Sequence, residues 1–304
     1  MLLKTNAITG AIAVSMAAIL WGLDGIVLTP RLYNLNITYV VFVVHCIPFL
    51  LLNLVCYKSY KELKTFTKYD FLFFFLVALF GGALGTLAIV KALFLVNFQS
   101  LTVVVLLQKL QPVFAITLAA ILLKERVHKG FVIWATIAII AGYFLTFGFH
   151  LPDFMSGSNT GLAAAYSLVA AFMFGSSTVL GKKVLNKVDF ISATFFRYGF
   201  TTLIMFVLVL FNGLFVQFKV TTPMNWTIFI IISFTTGSGA LFLYYFGLRK
   251  VKAMVATICE LFFPVSAILF DYLFNHRILS PIQWISSIVL LIAIIKLSIR
   301  PGVD

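Results

Sequence analysis

The chain has 304 residues, of which 62% are hydrophobic and only 10% charged, with a mean hydropathy of +1.11 and a formal net charge of +13. Charge this sparse cannot cover a soluble fold of such length, which excludes the two soluble domains that 304 residues would otherwise allow. Nucleic acid is excluded as a partner as well, because the basic residues fall in short loops between apolar runs.

Ten apolar runs follow one another, each of about 20 residues and so long enough to cross roughly 30 Å of hydrocarbon as a helix. The first, 8–28, carries Trp21-Gly22 and Asp24, and has only Lys4 as a basic residue ahead of it. It lacks a small-residue cleavage site and is expected to be retained. The second, 37–56, holds His45, and the basic segment Lys58 to Lys68 separates it from the third, 70–93, with Gly81-Gly82, Gly85 and Lys91. The fourth, 99–123, contains Gln108, Lys109, Gln111 and Pro112, then stops among Lys124, Glu125, Arg126 and Lys129. The fifth is 130–148, and Pro152 to Asn159 links it to the sixth, 160–181, with Phe174-Gly175. The seventh, 190–212, bears Arg197, and the eighth, 225–248, bears Gly237, Gly239, Tyr244 and Tyr245. The ninth, 252–274, has Glu260, Pro264 and Asp271, and the tenth is 281–299. Cys46, Cys56 and Cys259 have no metal-ligand spacing, so no metal or cofactor is expected.

The fourth run recurs 152 residues later: Pro112, Val113, Ala115 and Ile116 answer to Pro264, Val265, Ala267 and Ile268, and Gln108 to Glu260. The same spacing pairs His45 with Arg197. With an N-terminus in the cytoplasm, fifteen basic residues fall in cytoplasmic segments and three (Arg31, Lys219, Arg277) on the other side. The positive-inside rule therefore puts both termini in the cytoplasm. Five runs per copy is an odd number, so the second copy enters upside down. The expected fold is an all-α membrane protein of ten transmembrane helices, built as two inverted five-helix repeats over 7–150 and 157–300. Secondary transporters are commonly built so, with the substrate near the midplane.

A charge at bilayer depth is expensive, which singles out Lys109, about ten residues into the fourth run, and Glu260, about eight into the ninth. Glu260 suits an amine and Lys109 a carboxylate; the alternative is a structural ion pair between the halves. Gln108 and Gln111, three apart, share a helix face, form one polar sector with Lys109 and Pro112, and can bond substrate or glue helices. Arg197 can clamp a carboxylate, and Trp21 and Tyr244 can line a cavity or simply pack. Glu260, Asp24 and His45 are candidates for proton coupling or gating, against an Asp24–Lys91 pair and a packing histidine. Pro112 and Pro264 are expected as mid-helix hinges that free the carbonyls of Gln108 and Glu260. Glu125 reads as a loop bridge or an inner latch.

The chain resembles the EamA-type ten-helix members of the drug/metabolite transporter superfamily. The likeness rests on Trp21-Gly22 echoed by Phe174-Gly175, on Arg197, Pro112, Pro264 and Glu125, and on Ser280-Pro281 with Gln283 opening the last helix. It departs from the family pattern at Arg277, where a glutamate is usual, and at Lys109, Glu260 and Asp24. The resemblance implies a carrier of small organic metabolites, often an amino-acid exporter, sometimes an importer of a nucleoside-like compound.

The expected function is a non-enzymatic, secondary-active carrier in the cell (inner) membrane. It exports or exchanges a small charged or zwitterionic, amino-acid-like metabolite by alternating access, coupled to a proton or counter-substrate, as a monomer or homodimer. The alternatives are a polytopic membrane enzyme or lipid-handling protein, or a non-transporting structural protein.

Overall fold

The computed structural model describes residues 2–95, 107–108, 110–149, 159–275 and 280–299. Among these every regular element is helical. Helix α1 is Leu2–Leu23, and the helical path continues past residue 28, where the first apolar run ends. It runs on as a π-helical turn, Asp24–Leu28, and a 3-10 turn, Thr29–Leu32, with Pro30 in the first positions where no backbone donor is needed. Helix α2, Ile37–Cys56, starts where Asn36 Oδ1 accepts the Thr38 N–H at 2.9 Å. The basic segment after it is a 3-10 helix, Tyr57–Thr65, rather than a bare loop.

Helices α3, Lys68–Val77, and α4, Gly85–Leu95, are one rod interrupted by a π segment, Ala78–Leu84. Then come α5, Gln111–Leu122, and α6, Lys129–Phe147. The second half of the chain holds α7, Thr160–Val184, and α8, Phe190–Phe211. Helices α9, Pro223–Ile232, and α10, Ser238–Lys250, flank another π segment, Ser233–Gly237. Last come α11, Ala253–Cys259, α12, Phe262–Asn275, and α13, Pro281–Ile299. Reciprocal capping boxes open α3 (Thr67 with Asp70) and α9 (Thr222 with Asn225). At the start of α13 Gln283 Oε1 accepts the Ser280 N–H, and its amide donates to Leu145 O of α6 at 3.1 Å.

Six of these stretches are long and apolar enough to cross a membrane: Asn6–Leu32, Ile37–Thr65, Lys68–Ala92, Gly161–Val184, Phe190–Phe211 and Pro223–Lys250. Within the bundle α1 packs on α10 and α12, α7 on α4 and α5, α2 on α8, and α6 on α13. Lipid tails are as apolar as leucine, so close packing rather than burial from water must hold these helices together. Small residues permit it. A Cβ on Gly247 of α10 would stand 2.5 Å from Gly10 O of α1, so only glycine lets these two backbones meet. A Cβ on Gly175 would stand 2.9 Å from Gln111 O, which sets α7 directly against the start of α5. Phe74 of α3 adds aromatic contacts at 5.2 Å to Phe66 and 5.4 Å to Phe196 of α8.

Candidate substrate site

The ninth apolar run is not one helix. Its proline has no N–H, and in a continuous helix the ring would press on the carbonyl of Glu260 four residues back. The chain breaks between α11 and α12 instead. Glu260 N–H bonds Ala256 O at 3.0 Å, Leu261 N–H bonds Ile258 O at 3.0 Å, and α12 then begins with Pro264 as its third residue. The fourth run breaks at the equivalent place: Leu110 N–H bonds Leu107 O at 3.1 Å, and Pro112 lies at the first positions of α5. Both prolines therefore open helices rather than kink them. The carbonyl of Glu260, expected to be free, accepts the Phe263 N–H at 3.0 Å.

This break turns the Glu260 side chain into a knot of donors from three other helices. Gln111 Nε2 of α5 donates to Oε2 at 2.6 Å. Tyr244 OH of α10 donates to Oε1 at 2.9 Å, and Thr178 Oγ1 of α7 to the same oxygen at 3.1 Å. Thr178 and Tyr244 are themselves 2.8 Å apart. Trp21 of α1 lies over this group, its ring 5.2 Å from that of Tyr244 at 53°. Glu260, Gln111, Tyr244 and Trp21 are thus brought together as the sequence suggested. Thr178 was missed.

Arg197 of α8 is the cation nearby. Its Nη1 donates to Tyr245 OH at 3.2 Å, its guanidinium carbon is 5.5 Å from that ring, and its Nε is buried without a hydrogen bond. The rings of Tyr244 and Tyr245 are 5.8 Å apart and connect the arginine to the glutamate's surroundings. A side chain at Gly81, in the π segment of the α3–α4 rod, would collide with Ser177 and with Arg197 Nη2. His45 donates from Nδ1 to Val41 O at 2.7 Å, one turn back in its own helix, and its ring lies 5.5 Å from Tyr198. That is the arrangement of a satisfied packing residue.

Other expectations fare differently. Gln108 is described and partly buried, but outside the donors of Glu260. Lys109 and Arg277 lie outside the described residues. Asp24 does not pair with Lys91, which is exposed; its Oδ2 accepts from Thr29 Oγ1 at 3.2 Å. Glu125 is not a bridge among its loop neighbours. It reaches α11 and accepts the N–H groups of Ala253 at 2.8 Å and Met254 at 3.1 Å. At the same end of the bundle Lys182 Nζ of α7 donates to Leu248 O, Arg249 O and Val251 O at 2.8, 3.0 and 2.6 Å. Cationic donors at the end of α10 and an anionic acceptor at the start of α11 match both helix dipoles.

A bundle of apolar helices with a hydrogen-bonded carboxylate at a helix break is the construction of a multi-pass membrane transporter. The chain belongs to the EamA-like transporter family, which matches it over residues 8–148 and 161–299. It is 55% identical to the riboflavin transporter ImpX of Fusobacterium nucleatum subsp. nucleatum over 294 residues, 96% of this chain and 98% of the relative. It is 27% identical to an uncharacterized transporter of Synechocystis sp. over 241 residues, 77% of this chain and 67% of the relative. A crystal structure at 14% identity superposes with a TM-score of 0.65, covering 96% of this chain and 94% of that one, a likeness of fold alone.

Proposed function

We propose that the chain is a secondary-active carrier that moves riboflavin, or a closely similar flavin, across the cell membrane by alternating access. Ten transmembrane helices in two inverted repeats, 7–150 and 157–300 with both termini cytoplasmic, give such a carrier two halves that can rock about a shared centre. The family match in two stretches supports this reading. So do the packing partners: α1 on α10 and α12 is answered by α7 on α4 and α5.

The observation that carries the substrate reading is the Glu260 cluster beside Trp21, in a chain 55% identical to a riboflavin transporter. Riboflavin has a flat three-ring system with an imide edge, an N–H between two carbonyls. A carboxylate beside an amide complements that edge: Glu260 accepts the imide N–H, while the second N–H of the Gln111 amide donates to a flanking carbonyl. Trp21 and Tyr244 offer ring faces to the flat system. An amino-acid-like substrate would instead need Glu260 as the counter-ion of an ammonium. His45, bonded within its own helix, is assigned to packing rather than coupling.

Flux of radiolabelled riboflavin into proteoliposomes tests this. Saturable uptake that excess flavin suppresses, and a panel of amino acids does not, is expected. Folded protein that moves no flavin overturns the substrate, and suppression by an amino acid restores the zwitterion reading.

A further inference from the structure

A second polar site lies away from Glu260, where two distorted helices meet. Asp24 opens the π turn Asp24–Leu28 at the end of α1, and the Thr29 N–H bonds Asp24 O across five residues. Helix α1 packs against the third π segment, Ser233–Gly237, whose closing bond runs from Ser238 N–H to Ser233 O. π turns of this kind concentrate at functional sites, because they displace carbonyls from the regular ladder.

The side chains at this junction are incompletely bonded. Asp24 Oδ2 accepts from Thr29 Oγ1 at 3.2 Å, but Asp24 Oδ1 is buried and makes no hydrogen bond. Thr236, at 1% exposure, stands close enough to this carboxylate to interact with it, but its buried Oγ1 completes no hydrogen bond of good geometry. Among the described residues no basic side chain pairs with this charge: Arg31 of the adjoining 3-10 turn is exposed, and His45 of α2, which packs on Ser233–Gly237, bonds Val41 O. Ser233–Gly237, α9 and the first turn of α12, which brings Phe263 over Gly25, carry no ionisable group. Tyr198 faces Asp24 from α8, Asp271 comes about two turns further along α12, and Lys91 is exposed. A carboxylate and two hydroxyls form a hard-oxygen donor set, the kind that takes a hard cation. One carboxylate balances one positive charge, and at membrane depth neutrality favours a monovalent ion over a divalent one.

We propose that Asp24, Thr29 and Thr236 form a binding site for a monovalent metal cation, sodium being the probe. The site joins α1 to the α9–α10 rod, so its occupancy bears on how those helices sit together and hence on Tyr244 in α10 and Trp21 in α1. Transport coupled to the ion follows from that linkage.

The test needs no substrate, so its result is independent of the flavin reading. Thermal unfolding of the purified full chain is followed while sodium chloride replaces choline chloride at constant ionic strength and pH. Saturable stabilisation by sodium is expected for the native chain, its loss in Asp24→Asn, and a half-saturating concentration at least about tenfold higher in Thr236→Val. Should Asp24→Asn fail to fold, Thr236→Val alone decides, since it removes a ligand and keeps the shape. Equal stability in sodium and choline overturns the site. Stability that responds to pH but not to sodium overturns it in favour of a proton on Asp24.

Discussion

The Glu260 carboxylate draws on three donors, and each belongs to a different helix, so each can be removed singly. Tyr244→Phe deletes one donor to Glu260 and the partner of Thr178 while keeping the ring against Trp21. A buried acceptor left short of a bond costs about 1–3 kcal/mol. The half-saturating flavin concentration in uptake assays is expected to rise about tenfold, and the melting temperature to fall by a few degrees. Glu260→Gln, which replaces an acceptor oxygen by a donor, should abolish saturable uptake in the same assay. The glutamate was legible because a charge inside an apolar run has no cheap explanation; Gln111 stood out as a polar residue in an apolar run, and Tyr244 only as an aromatic able to line a cavity. Thr178 was not. Helical hydroxyls usually bond their own chain one turn back, as Ser176 does to Phe172 O at 2.7 Å. A hydroxyl that turns to another helix looks the same in sequence.

Helices meet in this molecule by caps and close crossings, and both kinds of contact are open to test. Glu125→Ala leaves the Ala253 and Met254 N–H groups of α11 without their side-chain acceptor, which should cost about 0.5–2 kcal/mol. Unfolding in detergent reports it as a lower melting temperature, and Glu125→Gln should recover part of the loss. Gly247→Ala inserts a methyl group against the backbone of α1, and a larger fall in melting temperature is expected there because neither backbone can yield. The apolar runs located the helices well, since a membrane span announces itself by length and composition. Their interiors were less legible. Proline marked where two runs break, but whether the chain kinks or restarts depends on which carbonyls find other donors, and that is settled by neighbours. The third and eighth runs carry glycines where π segments fall; the extra residue itself leaves no period in the sequence.

At the scale of the whole molecule, the alternating access proposed above requires that residues packed on one side become reachable in turn. Cys259, fully buried and adjacent to Glu260, is a native reporter of this movement. In a Cys46→Ala, Cys56→Ala background a water-soluble maleimide should react slowly with Cys259. It should react several-fold faster in Lys182→Met, which releases three carbonyls at the end of α10. Equal labelling rates would show that Lys182 does not hold that end shut. The turn between α10 and α11 is gripped twice over, by Lys182 on the carbonyls before it and by Glu125 on the amides after it. Because α7 and the α5–α6 loop hold one and the same short turn, neither grip can be relaxed while the other stays fully made. The losses from Lys182→Met and Glu125→Gln should therefore fall short of adding when combined, the mark of a closure that lets go as a unit.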